Sequence, residues 1–160
     1  MTLINTELFN EMIGKLPFSL SGEWIKRNSA YEAGLCSEIG WKLEENRYFD
    51  AKYKDLNIEI KKGRSIWLDL VRYSEIVLNI GVQDTITAFF IPTADKEHIE
   101  KIIFAYTDDI IRVLRINEAL AHKIVDLNNN TLRSLNCQAS LTIHDISEIA
   151  FHIKYFTCSN

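Results

Sequence analysis

Phe49-Asp50-Ala51-Lys52-Tyr53-Lys54-Asp55-Leu56-Asn57-Ile58-Glu59-Ile60-Lys61-Lys62-Gly63 reads as two short β-strands joined by a tight reversal. The second strand alternates: Leu56, Ile58 and Ile60 point one way, and Asn57, Glu59 and Lys61 the other. A reversal between Lys54 and Asp55 sets Tyr53 opposite Leu56 and, three pairs further out, Asp50 opposite Glu59. Directly opposed residues of an antiparallel pair hold their Cβ atoms roughly 5 Å apart. Two carboxylates so placed repel and destabilise the hairpin, and a divalent cation between them reverses the sign. Lys61 lies about 7 Å from Glu59 on the same face, two strand residues along.

This grouping suits phosphodiester hydrolysis. Mg²⁺ takes hard oxygen ligands, commonly one or two carboxylates, with water and substrate phosphate completing the octahedron. The cation polarises the phosphoryl oxygen and activates water. A nearby lysine stabilises charge at phosphorus and, if burial lowers its pKa, assists in deprotonating the water. The plain alternative is a solvated hairpin decorated with charges, since E-x-K alone is common.

Upstream, Asn28-Ser29-Ala30-Tyr31-Glu32 reads as a helix start, with Ser29 as N-cap and Glu32 at capping-box spacing. Tyr31, Leu35, Ile39 and Leu43 recur every four residues and mark its buried face. Glu32 falls within that stripe and Glu38 at or beyond its edge. A carboxylate on a buried face needs a partner. For Glu32 that is the capping box or the acidic cluster of Asp50 and Glu59. Glu38 is a second candidate, with a solvated helix charge as its ordinary reading.

A helix bearing a glutamate, a strand carrying aspartate, then a strand carrying E-x-K: over residues 29 to about 92 this order resembles the PD-(D/E)xK nuclease superfamily. Type II restriction endonucleases and archaeal Holliday-junction resolvases belong to it. The resemblance makes Asp50 the motif aspartate, Glu59 the second acidic residue, Lys61 the motif lysine and Glu32 the helix glutamate. The chain departs from the pattern at Phe49, where the motif has proline. Asp55, four residues before Glu59, is the other candidate for the aspartate. The resemblance implies an α/β fold (α+β) with a central mixed β-sheet flanked by helices, a restriction-endonuclease-like core. It also implies Mg²⁺, with Mn²⁺ able to substitute, held by Asp50, Glu59 and the Ile60 carbonyl, and double-stranded DNA as substrate.

The segment after the motif fits that architecture. Residues Ile66 to Leu78 have helical length, and Thr85 to Ile91 read as a buried strand ended by Pro92. Strand, helix, strand in this order predicts a parallel crossover. Further on, Lys101–Thr107 and Ile110–Arg115 read as two strands turning at Asp108-Asp109, the β-branched run favouring strands over one long helix from Lys96. Asn117 is placed to cap a helix from Glu118 to about Leu127, before the loop Asn128-Asn129-Asn130. Ser140–His144 and Ile149–Tyr155 read as closing strands, so strands and a helix fill about 96–156.

The chain has 160 residues, 47% of them hydrophobic, with two prolines and six glycines, which suits one domain over 1–160 with a sound core and no long linker. No 18-residue apolar run suggests a membrane span, and the first residues lack the pattern of a secretory signal. Cys36, Cys137 and Cys158 are widely spaced, without C-x-x-C, and read as reduced thiols of a cytoplasmic protein. His98, His122, His144 and His152 form no H-x-x-x-H or H-x-H set. Serine-hydrolase elbows, Walker loops and dinucleotide fingerprints are absent.

The net charge of −4 is unusual for a nucleic-acid binder, but the basic residues are uneven. Lys42, Arg47, Lys52, Lys54, Lys61, Lys62, Arg64 and Arg72 put eight of eighteen into about a fifth of the chain, flanking the hairpin. Lys62 is placed to meet the DNA backbone, and Arg64 and Arg72 to reach phosphate or guanine edges. Trp67 and the helix from Ile66 are candidates for a homodimer seam, which a palindrome-cutting enzyme uses to space two active sites. The expected function is a sequence-specific, type II DNA endonuclease. A structure-selective nuclease acting on junctions or damage is the alternative within the class, and a non-catalytic binding or adaptor module the alternative outside it.

Overall fold

In the computed structural model, residues 4–44, 46–81, 85–131 and 137–158 are described; residues 45 and 82–84 of the motif span lie outside them. The chain folds as a mixed α/β protein around a six-stranded sheet. Its strands are β1 (Lys42–Leu43), β2 (Ala51–Tyr53), β3 (Leu56–Lys62), β5 (Thr85–Pro92), β6 (Ile99–Tyr106) and β8 (Ala150–Tyr155), in that spatial order. A separate antiparallel pair joins β4 (Ile66–Asp69) to β7 (Gln138–Leu141).

The hairpin register is the expected one: Tyr53 pairs with Leu56, Lys52 with Asn57 and Ala51 with Ile58. Lys54 makes the turn with φ 50°, a left-handed conformation that few L-residues adopt. β3 then runs parallel to β5, with Glu59 beside Thr87 and Lys61 beside Phe89, so the predicted crossover is present. The remaining contacts, β5 with β6 and β6 with β8, are antiparallel.

Alternation along the strands splits the core in two. Leu56, Ile58, Ile60, Ile86, Ala88, Phe90, Ile102 and Phe104 face one layer. Against them pack α1 (Thr6–Gly14), a 3-10 turn at Glu23–Lys26 and α2 (Glu32–Ile39), through Phe9, Met12, Trp24, Ile25, Leu35 and Ile39. Phe89, Ile91, Ile103 and Ala105 face the other layer. That side is covered by α3 (Leu70–Val77), α4 (Thr107–Leu114), α5 (Glu118–Asn129), α6 (Ile143–Ile149) and the β4–β7 pair. β5, enclosed on both faces, is buried along its whole length, as expected for an inner strand next to a parallel neighbour.

Four local readings change. Helix α2 starts at Glu32 without a side-chain cap, and Ser29 lies outside it, so the capping box does not form. Ala30, with φ 54°, interrupts the approach. Gly40, with φ 80°, ends α2, and Leu43 is an exposed residue of β1. Ile66–Leu78 is not one helix: Ile66 to Asp69 alternate buried and exposed as β4, and the Asp69 side chain then caps α3 by accepting from the Val71 N–H at 2.9 Å. Ile110–Arg115 belongs to a helix, not a strand. Asp108 and Asp109 occupy the first turn of α4, where carboxylates complement the helix dipole, and do not form a β-turn. Ser140–His144 is part strand and part helix, because Thr142 and Asp145 form a capping box that starts α6 and leaves His144 exposed on it. The Asn117 cap and the helix from Glu118 are present, extending through Asn129. No helix among the described residues is long and apolar enough to cross a membrane.

Candidate active site

Asp50 immediately precedes β2, and its backbone and side chain both join the hairpin. Its N–H donates to the Ile58 carbonyl at 3.0 Å, and its Oδ2 accepts from the Ile60 N–H at 2.7 Å. These bonds fix the carboxylate at the open end of the hairpin, next to Glu59. Glu59 projects from β3 toward the α3 layer and is only 7% exposed. Lys61 Nζ stands 3.6 Å from Glu59 Oε1, and Arg72 Nη2, reaching from α3, stands 3.5 Å from Glu59 Oε2. Residues 50, 59 and 61 therefore converge, as the register predicts.

Burial pushes the Glu59 carboxyl up, to about 7; Arg72 and Lys61 pull it down, while the charge of Asp50 and a hydrogen bond between the two carboxyls push it further up. Near neutrality a cation would therefore compete with the proton for the Glu59 oxygens.

Glu32 reaches this neighbourhood from the first turn of α2. Burial, then the charges of Glu32, Asp50 and Glu59, raise the Tyr31 hydroxyl well above its ordinary range. Burial raises the Cys36 thiol to about 12, with Asp50 and Glu32 adding to it. Glu32 thus acts on the same Tyr31 and Cys36 groups as Asp50, from the α2 side of the sheet. Glu38 points to other work: its Oε2 accepts from the Trp24 indole N–H at 2.6 Å. Asp55 sits exposed in the hairpin turn, at the opposite end of the hairpin from Glu59.

The basic residues divide into three groups. Lys62 Nζ donates to the Ile25 carbonyl at 2.9 Å and lies 4.7 Å from the centre of the Tyr31 ring, and burial lowers its pKa. Arg64 is exposed; its Nη1 donates to the Pro92 carbonyl at 2.9 Å and lies 4.0 Å from Glu100. Arg72 is enclosed instead. Its Nε and Nη2 donate to the Tyr48 carbonyl at 3.1 and 2.6 Å. The expected reach of Arg72 to phosphate or guanine is replaced by contacts inside the protein. Arg47 pairs with the largely buried Glu75 of α3. Trp67 is on β4, not on a helix, and is 56% exposed.

Sequence reading missed the inward role of Arg72. The signal was a lone cation among Val71, Tyr73 and Ile76, which form the apolar face of α3. It also missed the polar atoms behind Glu59. The Tyr73 hydroxyl and Arg72 Nη1 on α3 and the Thr87 hydroxyl, which flanks Glu59 on β5, are buried, and Arg72 and Thr87 both act on the Tyr73 hydroxyl.

The donor set is of hard oxygens, two neighbouring carboxylates, and it fits Mg²⁺ or Mn²⁺ better than a softer metal. No group of three or more His, Cys, Asp or Glu side chains among the described residues is already arranged to hold an ion. No family model matches the chain, and neither a curated protein nor a solved structure matches it significantly.

Proposed function

We propose that this protein is a metal-dependent DNA endonuclease with its active site at the open end of the β2–β3 hairpin. The observation that carries the reading is the juxtaposition of Asp50 and Glu59, two carboxylates held together against their mutual repulsion, with Lys61 3.6 Å from Glu59. Such a pair is costly to the fold when both groups are ionised, which fits a role in holding a cation.

Asp50 and Glu59, with the Ile60 carbonyl, are the proposed holders of Mg²⁺, for which Mn²⁺ can stand in. The cation would supply Lewis acidity at the scissile phosphate. Lys61, half-buried beside Glu59, would orient the attacking water and stabilise charge on the phosphoryl oxygens. Glu32 would hold the water network or a second cation. The exposed Lys42, Arg47 and Arg64 offer phosphate contacts around the site, with Lys62 on the other face of β3 beside Tyr31. We read the substrate as double-stranded DNA cut at a defined sequence, by a homodimer that supplies two sites. The three free thiols fit a reducing, cytoplasmic setting.

Incubation of mixed plasmid DNA with the protein and Mg²⁺ or Mn²⁺ tests this directly. Discrete fragments with 5′-phosphate ends are the expected result. Intact DNA across both cations and a range of salt would remove the reading. Preference for four-way junctions irrespective of sequence would move the enzyme to the structure-selective branch.

A non-catalytic binding module is the second reading. The net charge of −4 and the pairing of Glu59 with both Lys61 and Arg72 favour it. Absence of divalent-cation binding in calorimetry, with and without DNA, would select it.

A further inference from the structure

We infer that Arg72 is a positioning residue of this site: its guanidinium fastens the lead-in to Asp50 onto Glu59, and so sets the spacing of the two carboxylates. The inference rests on the proposed reading for its consequence in catalysis, and on geometry for its existence.

The strand β2 is only three residues long; Asp50, just before it, still donates to the Ile58 carbonyl, but residues 46–49 ahead of it have no strand partner. Something other than strand pairing must hold residues 46–49 in place. Helix α3 does so at two points. Arg72 donates from Nε and Nη2 to the Tyr48 carbonyl, at 3.1 and 2.6 Å, two residues before Asp50. Glu75, one helical turn later, accepts from Arg47. The same Arg72 Nη2 is 3.5 Å from Glu59 Oε2. One planar group thus touches both halves of the carboxylate pair: the chain that delivers Asp50, and the side chain of Glu59. A guanidinium suits this task because its N–H groups form a rigid fork, and a lysine offers no such fixed pair.

The arginine is not placed to read DNA. Its side chain is 11% exposed, and its guanidinium stands 4.9 Å from the centre of the Tyr73 ring. Arg72 meets Glu59 at Oε2, while Lys61 meets it at Oε1.

The consequence is a split between cation affinity and turnover. Outer partners of metal ligands typically alter affinity by about 10- to 100-fold when changed. Arg72→Gln should therefore raise the Mn²⁺ concentration for half-maximal plasmid cleavage by at least about tenfold, with turnover at saturating Mn²⁺ within about threefold of wild type. Arg72→Lys should recover part of the affinity. Guanidinium chloride at millimolar concentration should restore part of it in Arg72→Gln but not improve wild type. DNA affinity in EDTA, and its salt dependence, should not change.

A second measurement is independent of catalysis. The Ile60 N–H is protected by the Asp50 carboxylate, so its hydrogen exchange should accelerate about tenfold or more in Arg72→Gln and less in Arg72→Lys, relative to amides of β5. Should Arg72→Gln fail to fold, the same two readouts on Arg72→Lys decide the matter. A loss of turnover at saturating Mn²⁺ with unchanged half-saturation overturns the inference, as does an unaltered Ile60 exchange rate. If wild type neither binds Mn²⁺ nor cuts DNA, the proposed function falls, and the exchange experiment alone decides whether Arg72 positions Asp50.

Discussion

Replacing Glu59 by glutamine should stabilise the cation-free protein above neutral pH and abolish cleavage, a gain and a loss with a single cause. The buried carboxyl is raised from 4.5 to about 7. Between those values the folded protein keeps a proton that the unfolded chain releases. The contribution to stability is therefore fully present below about pH 4.5 and is lost as pH rises through about 7. At roughly 1.4 kcal/mol per pH unit, the loss between about pH 5 and pH 8 is on the order of 2–3 kcal/mol. Glutamine has nearly the same shape and does not ionise, so it escapes the loss. The difference in unfolding free energy, variant minus wild type, should be more positive at pH 8 than at pH 5 by about 2–3 kcal/mol. For a chain of this size that corresponds to roughly 5–10 °C in Tm. Urea unfolding in EDTA, followed by tryptophan fluorescence at the two pH values, measures it. An equal difference at both, or a variant less stable at the higher pH, would refute the assignment of Glu59 as a buried carboxyl beside a second one. Saturating Mn²⁺ should stabilise wild type at pH 8 and leave the variant unmoved, because only the folded carboxylate pair binds the ion.

Lys61→Ala should lower the cleavage rate by about 10²- to 10⁴-fold, the range for a group assisting proton transfer or charge at the reacting centre. Its unfolding midpoint should stay near wild type, since Lys61 is partly exposed and its ion pair is with Glu59; a large fall in midpoint would count against a chemical role. The Mn²⁺ requirement should fall with rising pH up to about 7 and then level, because the ion competes with the proton on Glu59; a pH-independent requirement in filter-binding or cleavage assays would contradict that. Gly81→Ala should destabilise the protein by about 1–2 kcal/mol. Gly81 has φ 81°, and an added Cβ would stand 2.1 Å from the Tyr48 ring, whose carbonyl holds Arg72. Thermal unfolding checks the effect, and an unchanged midpoint would mean that Tyr48 does not pack as described.

The hairpin and its register were legible because both signals are local. Leu56, Ile58 and Ile60 alternate with polar residues, and two turn residues leave one pairing that puts every apolar side chain on a buried face. The parallel crossover followed from element order alone. What misled was apolar density without attention to caps. Ile110, Ile111 and Val113 favour strand by type, yet Ile110 with Val113 and Leu114 also has helical spacing, and Asp108-Asp109 before them supply an acidic first turn. Tertiary packing of that stripe against the sheet outweighs the intrinsic preference of β-branched residues. Thr142, inside what looked like a strand ending at His144, forms a capping box with Asp145 just beyond it. Asp69 likewise caps α3 inside what looked like one helix. At the site, Asp50, Glu59 and Lys61 could be found because one hairpin carries them all. Arg72 could not be given its place, because its contacts with Tyr48 and Glu59 depend on how α3 lies on the sheet, which no local pattern encodes.

The central claim is that Asp50 and Glu59 share a divalent cation. Anomalous scattering from crystals grown with Mn²⁺ and a short DNA duplex tests it most directly. The account predicts one strong peak at coordinating distance from an oxygen of each carboxylate, lost in Glu59→Gln. Ions found only elsewhere, or none at the two carboxylates, would contradict it.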